Sequence, residues 1–137
     1  MSGHSTATAV PQFALAGSFL ESLAARDFAR LRDALDDGVR LRALLPGGPQ
    51  EWTGAEVIAG QFASWFGGTE DFELVESNAG EIGGLLRLQW RLRLQAEQLG
   101  PGWFTVEQQA YADTNDDGRI AQVDLLCTGY RREAVDD

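Results

Sequence analysis

The clearest pattern in the chain is the alternation of apolar and polar residues over residues 86–95. A period of two predicts a β-strand with one buried face. The apolar face comprises Leu86, Leu88, Trp90, Leu92 and Leu94. The opposite face carries Arg87, Arg91 and Arg93. Because burying unpaired guanidinium groups is very costly, we expect the leucine and tryptophan face to point inward and the arginines to lie on the outer face.

Similar patterns predict the remaining elements. Apolar residues at helical spacing predict three helices, at residues 12–25, 28–36 and 54–66. Thr53 and Glu56 have the spacing of a capping box at the start of the third helix. Alternation and turn residues predict five strands, at residues 39–45, 72–79, 85–95, 103–113 and 119–130. This order predicts an α+β fold in which a curved, mostly antiparallel sheet wraps around three N-terminal helices.

Length and charge indicate how many domains the chain has and which partners its charge disfavours. The chain has 137 residues and a formal net charge of -10, with 21 acidic against 11 basic residues. We expect a single domain over residues 12–131, a disordered tail at 1–11 and a charged tail at 132–137. The acidic balance makes nucleic acid and anionic membrane surfaces poor partners.

Cysteine and histidine are each present once, as Cys127 and His4. An internal disulfide is therefore excluded, and neither a His/Cys metal site nor a catalytic triad is expected. No nucleotide-binding motif occurs, so we expect no cofactor. With no signal peptide and no membrane-length apolar run, we expect a cytoplasmic protein with no membrane partner.

Three stretches together resemble a known family. They are FLESLAARDFARLRDAL, WTGAEVIAGQFASWF and VEQQAYADTNDDGRIAQVDLL. Their order and spacing resemble the nuclear transport factor 2-like superfamily, and SnoaL-like proteins in particular. The resemblance implies a cone with one apolar pocket. The superfamily includes ketosteroid isomerases, limonene-epoxide hydrolases, scytalone dehydratases and polyketide cyclases, and it also has members without known activity. The fold alone therefore does not give the function.

The resemblance also implies candidate catalytic residues on one strand. Matching Tyr111 to the aromatic that follows the family's catalytic Asp puts Gln109 at the Asp position. Glu107 then falls where the epoxide hydrolases carry an Arg. These three share a strand face, which in this register looks into the pocket. An apolar cone would disfavour an ionised Glu107 and suit it to general acid–base catalysis, with Gln109 and Tyr111 holding an oxygen. The alternative is a Glu107 at the rim or paired with Arg91 or Arg93.

Other positions depart from the family's catalytic patterns. Phe19 stands where ketosteroid isomerases have a Tyr, and Arg42 stands where they have the catalytic base. Steroid isomerisation is therefore rejected. Leu125 lies near the last Asp of the epoxide hydrolases. Asp124, one residue away, should face outward unless a bulge turns it in, and it remains a weaker catalytic candidate.

The expected pocket walls are mostly apolar residues, which could equally be ordinary core. They are Phe19, Trp52, Phe62, Trp65, Phe66, Leu88, Trp90, Val123, Leu125 and Cys127. A buried cysteine usually behaves as a small hydrophobe.

These observations support a cofactor-independent enzyme that acts by general acid–base chemistry on a small hydrophobic metabolite. Its reaction would be of the cyclase, isomerase, dehydratase or hydrolase type. The alternatives are a non-catalytic small-molecule-binding domain and a dimerising domain with a filled core. We expect a homodimer through the convex sheet face, although the arginines there could instead be solvated or clamp an anion. The Gly-, Ala- and Arg-rich composition suggests a bacterial source, with secondary metabolism as a setting.

Overall fold

The computed structural model describes residues 12–133. These described residues form three α-helices, one short 3₁₀ helix (Glu97–Leu99) and seven strands. The helices are α1 (Gln12–Ala24), α2 (Phe28–Asp33) and α3 (Ala55–Phe66). The strands are β1 (Leu35–Leu45), β2 (Gly48–Thr53), β3 (Asp71–Ile82), β4 (Leu85–Gln95), β5 (Phe104–Thr114), β6 (Ile120–Cys127) and β7 (Arg131–Arg132). The predicted α+β class and its three helices are confirmed.

The strands form one curved, open sheet in the order β2-β1-β6-β5-β4-β3, and β7 pairs with β5. Only the β1–β6 pair is parallel, and the other pairs are antiparallel, as the mostly antiparallel prediction requires. The parallel pair places β6, the last long strand, beside the first strand, β1. The inner face of β5 and β6 therefore lies close to the turn between β1 and β2.

Strand β2 was not expected from the sequence. Its residues Pro49, Gln50 and Glu51 are all exposed, because β2 is an edge strand. Such a strand shows no alternation to detect. It continues to Thr53, which pairs with Arg40. The predicted capping box is wrong, since Gly54 is the N-cap of α3, with a φ of 103°, and no side chain caps the helix there.

The core lies between the helices and the inner face of the sheet. All five apolar residues of β4 named above are at most 1 % exposed, so their inward orientation is confirmed. Phe19 of α1 and Phe62 of α3 lie 5.8 Å apart between ring centroids, and the ring of Trp90 is 5.6 Å from that of Phe19. This aromatic cluster fills the space between α1, α3 and β4.

The structure continues past the expected end of the domain. β7 pairs with the start of β5, and the Nε of Arg93 donates to Glu133 at 2.7 Å. The guanidinium of Arg93 also lies 3.9 Å from the ring centroid of Trp103. These contacts hold residues 132 and 133 against the sheet, whereas the other residues of the two expected tails lie outside the described part of the chain.

Candidate functional site

Strand β5 presents the opposite face to the one expected. Its buried residues are Phe104, Val106, Gln108, Ala110 and Ala112. The predicted inward orientation of Glu107, Gln109 and Tyr111 is therefore wrong. The register taken from the resemblance is one residue out of step, because the small alanines of β5 belong to the core. Glu107, Gln109 and Tyr111 lie on the outer face, beside the arginines of β4.

Glu107 is held in an outer-face polar network. Its carboxylate lies 3.3 Å from the Nε of Arg91 and accepts a hydrogen bond of 2.8 Å from Gln89. Arg91 also approaches Glu76 of β3 at 3.2 Å. This arrangement matches the alternative in which Glu107 is paired with an arginine. It removes Glu107 from the apolar surroundings on which its proposed acid–base role depended.

Asp124 also lies on the outer face, as the alternation of β6 predicted. Arg42 donates to both of its carboxylate oxygens, at 2.7 and 2.9 Å. This hydrogen bonding, aided by the charge of Arg42, holds the pKa of Asp124 below its ordinary value. The bulge that would turn Asp124 inward is absent here, because the β5–β6 register is continuous from Gln108 to Asp113.

The expected pocket walls divide into core residues and pocket residues. Four of them, Phe19, Phe62, Leu88 and Trp90, lie in the packed core away from the pocket described next, and Phe66 belongs to the core and also lines that pocket. Val123 and Leu125 are also buried, on the inner face of β6. Trp52 packs edge-on against Trp65, with ring centroids 5.9 Å apart. Only Trp65, Phe66 and Cys127 of the predicted set reach the pocket described next.

A pocket of about 420 Å³, which we call the Gln108 pocket, lies where the inner faces of β5 and β6 meet the end of α3. It is lined by Leu45, Pro46, Trp65, Phe66, Val106, Gln108 and residues 127–130. Its walls are largely apolar and aromatic. Small-molecule sites typically have this character, with a few fixed polar groups.

Gln108 is the buried polar group of this pocket, at 1 % exposure. Its Oε1 accepts a hydrogen bond of 2.8 Å from the indole Nε1 of Trp90, its partner across β4–β5. Because an indole N–H can only donate, this bond fixes which end of the amide is oxygen. Among the described residues, the Nε2 of Gln108 has no acceptor. Two N–H donors are therefore buried beside the pocket without a partner.

Tyr130 and Gly129 complete the pocket wall. The hydroxyl of Tyr130 donates to the backbone carbonyl of Trp65 at 2.6 Å. Burial, and then the neighbouring Cys127, raise the pKa of Tyr130 to about 12. Gly129 has a φ of 78°, and a Cβ at this position would lie 2.6 Å from Pro46. The wall can close this tightly only with a glycine there.

Sequence reasoning missed Gln108, Gly129 and Tyr130. A signal for Gln108 was present, because it shares its strand face with Val106, Ala110 and Ala112. Choosing the more apolar face of β5 would have placed Gln108 inside. No comparable local signal marks Gly129 or Tyr130, since their roles depend on Pro46 and Trp65, which are distant in sequence.

Residues 12–133 show neither a metal-binding cluster nor a membrane-spanning helix. No group of three or more His, Cys, Asp or Glu side chains there is arranged to hold a metal ion. None of the helices in that range has the length and apolar character needed to cross a membrane.

No family model and no curated protein matches the chain, whereas solved structures do. A phenazine biosynthesis-related protein of Pseudomonas aeruginosa matches with a TM-score of 0.65 and 13% identity, over 88% of this chain and 79% of that one. A protein of Shewanella denitrificans, provisionally assigned as a SnoaL-like polyketide cyclase, matches with a TM-score of 0.65 and 15% identity, over 85% and 89% of the two chains.

A third structure, a limonene-epoxide-hydrolase-like (LEH-like) epoxide hydrolase of Mycobacterium tuberculosis, matches with a TM-score of 0.61 and 18% identity. The match covers 85% of this chain and 81% of the other. At these identities the matches establish the fold. The chain has the nuclear transport factor 2-like fold of SnoaL-like proteins, and the predicted resemblance is confirmed at that level.

Proposed function

We propose that the protein binds a small, uncharged, largely apolar molecule in the Gln108 pocket. The observation that carries this proposal is the pair of unpartnered N–H donors on the buried Gln108 amide. Leaving such a donor unpaired costs about 1–3 kcal/mol, which a ligand oxygen would recover. A carbonyl-type acceptor on the ligand fits this donor.

The pocket favours a neutral ligand. Among the described residues that line it, none is Asp, Glu, His, Lys or Arg. A charged ligand would lose its hydration without gaining a counter-ion. The protein's net charge of -10 further disfavours an anion. Trp65 and Phe66 offer flat apolar surfaces, so a ring-containing carbonyl compound is the ligand class that fits best.

An enzyme of the cyclase, isomerase, dehydratase or hydrolase type stays a prediction. The structural similarity to an epoxide hydrolase, an enzyme that acts on a small molecule, supports a small-molecule ligand for this chain as well. We propose binding without acid–base turnover because Glu107 is paired with Arg91 on the other face of the sheet. The proposed compartment is the cytoplasm, where Cys127 would remain reduced.

Binding can be tested with a matched ligand pair, 1-acetonaphthone and 1-ethylnaphthalene, which have similar shapes but differ in the carbonyl group. We expect the ketone to bind the wild-type protein roughly tenfold more tightly, as one good hydrogen bond allows. Isothermal titration calorimetry measures both affinities.

The matched variants are Gln108→Glu and Gln109→Glu. The first keeps an oxygen for Trp90 and leaves no donor when its carboxyl is ionised, so both variants are measured at a pH high enough to ionise a buried carboxyl. The second makes the same change on the outer face of β5. Gln108→Glu should abolish the preference for the ketone, whereas Gln109→Glu should retain it. Equal binding of both ligands to the wild-type protein, or no binding, would contradict the proposal.

A second proposal concerns self-association through the outer face of the sheet. Leu44 and Leu126 are neighbours across β1–β6 and are 53% and 50% exposed. Tyr111, which is 37% exposed, lies on the adjoining strand. The outer face also carries ion pairs such as Arg42–Asp124, so it is mixed in charge although the chain is strongly acidic. We propose that a second copy of the chain covers this apolar patch in a homodimer.

A further inference from the structure

Cys127 lies directly opposite Gln108 across the β5–β6 pair. Directly opposed residues of an antiparallel pair have Cβ atoms about 4.5–5.5 Å apart. Both side chains line the Gln108 pocket. The backbone N–H of Gly129 donates to the Sγ of Cys127 at 3.4 Å, which restrains the position of the sulfur. A thiol and an unpartnered buried amide donor therefore face the same ligand space.

We propose that Cys127 captures ligands whose carbonyl group is conjugated to a carbon–carbon double bond, by adding covalently to that bond. This inference rests on the proposed function and specifies the ligand as an α,β-unsaturated ketone. The carbonyl oxygen of such a ketone is only three bonds from its reactive β carbon. One conjugated unit can thus engage two adjacent side chains, Gln108 through the oxygen and Cys127 through the β carbon.

The addition is balanced without an oxidant or a leaving group. A bond forms between the Sγ of Cys127 and the β carbon of the ligand. The π electrons of the double bond move to the α carbon, which takes a proton in place of the one that the thiol loses. Hydrogen bonding from the Nε2 of Gln108 to the carbonyl oxygen stabilises the negative charge that develops there during attack. The reverse step releases the intact ligand.

The composition of the chain makes this capture selective. Cys127 is the only cysteine, and all 11 basic residues counted as Lys or Arg are arginines. The Tyr130 hydroxyl in the same pocket already donates to the Trp65 carbonyl. The Cys127 thiol is thus the nucleophile that the pocket offers to a soft electrophile.

The test uses the naphthyl vinyl ketone made by replacing the methyl group of 1-acetonaphthone with a vinyl group. Intact-protein mass spectrometry should show one adduct with the full mass of the ligand. Its rate should saturate with ligand concentration, because binding precedes addition. An excess of 1-acetonaphthone should slow the reaction, and Cys127→Ser should form no adduct.

The role of Gln108 has its own controls. Gln108→Glu should slow labelling by the vinyl ketone roughly tenfold, equivalent to about 1.4 kcal/mol. Labelling by methyl methanethiosulfonate, a small thiol reagent without a carbonyl group, should be the same in Gln108→Glu and wild type if the variant is folded and the thiol accessible. Gln109→Glu should label like wild type with both reagents.

Three results would overturn the inference. The first is a labelling rate that rises linearly with vinyl ketone concentration and is not slowed by 1-acetonaphthone. This result counts when calorimetry shows that 1-acetonaphthone binds. That result would refute capture and leave the binding proposal intact. A second is an adduct of equal rate in Cys127→Ser. The third is failure of 1-acetonaphthone to bind at all, which would refute the proposed function together with this inference.

Discussion

Gln108 is a buried amide whose two ends have different surroundings. Its oxygen is paired with Trp90, whereas its nitrogen has no partner among the described residues. A folded protein tolerates such an imbalance in few places, because each unpaired buried donor lowers stability. The pocket beside it supplies a reason, since a bound oxygen would complete the hydrogen bonding.

Gly129 gives a residue-scale prediction about the pocket wall. Gly129→Ala should lower the free energy of unfolding by about 1–2 kcal/mol for the positive φ and by a further 1–3 kcal/mol for the contact with Pro46. Gly84→Ala is the matched control, since Gly84 also has a positive φ, of 86°, but a Cβ added there would meet no atom within 4 Å. Urea unfolding measures both variants. If the two substitutions cost the same, the close approach to Pro46 has no energetic weight.

Tyr130 gives a prediction at high pH. Its pKa is raised to about 12, above its usual value near 10. Between these values the unfolded state loses the proton more readily, so the contribution of Tyr130 to stability is full below about pH 10 and is lost as the pH rises toward 12. Unfolding free energies measured between pH 9 and 11 should fall more steeply in wild type than in Tyr130→Phe. Parallel curves would show that the phenol is not buried.

The alternation of β4 was sufficient to predict its buried face, because five large apolar residues compete with arginines and glutamines. In β5 the contrast is weaker, because alanines occupy inner positions and Tyr111 occupies an outer one. The resemblance then decided the register and placed Glu107 inside. Small residues such as Ala110 and Ala112 give little hydrophobic signal, so the sequence of β5 does not show clearly which face is buried.

Among the elements, the parallel pair of β1 and β6 joins the first half of the sheet to the second. Arg42 and Asp124 connect the outer faces of these strands. Both side chains are about half exposed, so solvent screens the pair and its contribution to stability should be small. The inner side of the same pair, with Leu41 and Val123 buried, provides the larger stabilisation.

The Arg42–Asp124 pair predicts a small acid-dependent loss of stability. Since the pKa of Asp124 is lowered in the folded state, its stabilising effect is present above the ordinary Asp value and is lost as the pH falls below about 4. Asp124→Asn should reduce this dependence, as measured by urea unfolding between pH 2.5 and 6. Asp113→Asn, on the outer face of β5, serves as the control. An unchanged acid profile in Asp124→Asn would mean that the ion pair does not persist in solution.

The edge elements were the hardest to predict. β2 has no buried row, and β7 is a strand of two residues that pairs with β5. Both depend on partners already in place, so their sequences carry no independent period. The three helices and the inner strands bury large apolar faces, and for that reason their positions followed from the sequence.

At the scale of the whole molecule, the charge distribution separates two surfaces. The outer face of the sheet is mixed in charge and carries an apolar patch, whereas the Gln108 pocket lacks charged lining among the described residues. The fold was predictable from element order, but the location of the pocket required the three-dimensional approach of Pro46, Trp65 and Tyr130.

The homodimer proposal predicts a specific effect of charge on assembly. Leu44→Glu should convert the dimer to monomer, since it places a carboxylate in the apolar patch of both copies. Val57→Glu on α3 is a matched control, because Val57 is also 53% exposed but lies away from the sheet face. Sedimentation velocity distinguishes the species. A wild-type protein that sediments as a monomer at high micromolar concentration would refute the dimer.

The most direct measurement is the side-chain amide signal of Gln108 in a proton–nitrogen correlation NMR spectrum, assigned by its disappearance in Gln108→Glu. Titration with 1-acetonaphthone should shift the amide proton that meets the ligand oxygen downfield until the shift saturates, whereas 1-ethylnaphthalene should not produce this shift. That result would show that the buried Gln108 amide donates a hydrogen bond to the ligand oxygen. If the ketone leaves the Gln108 signals unchanged at saturating concentration, the Gln108 pocket does not bind carbonyl compounds in the way that we propose.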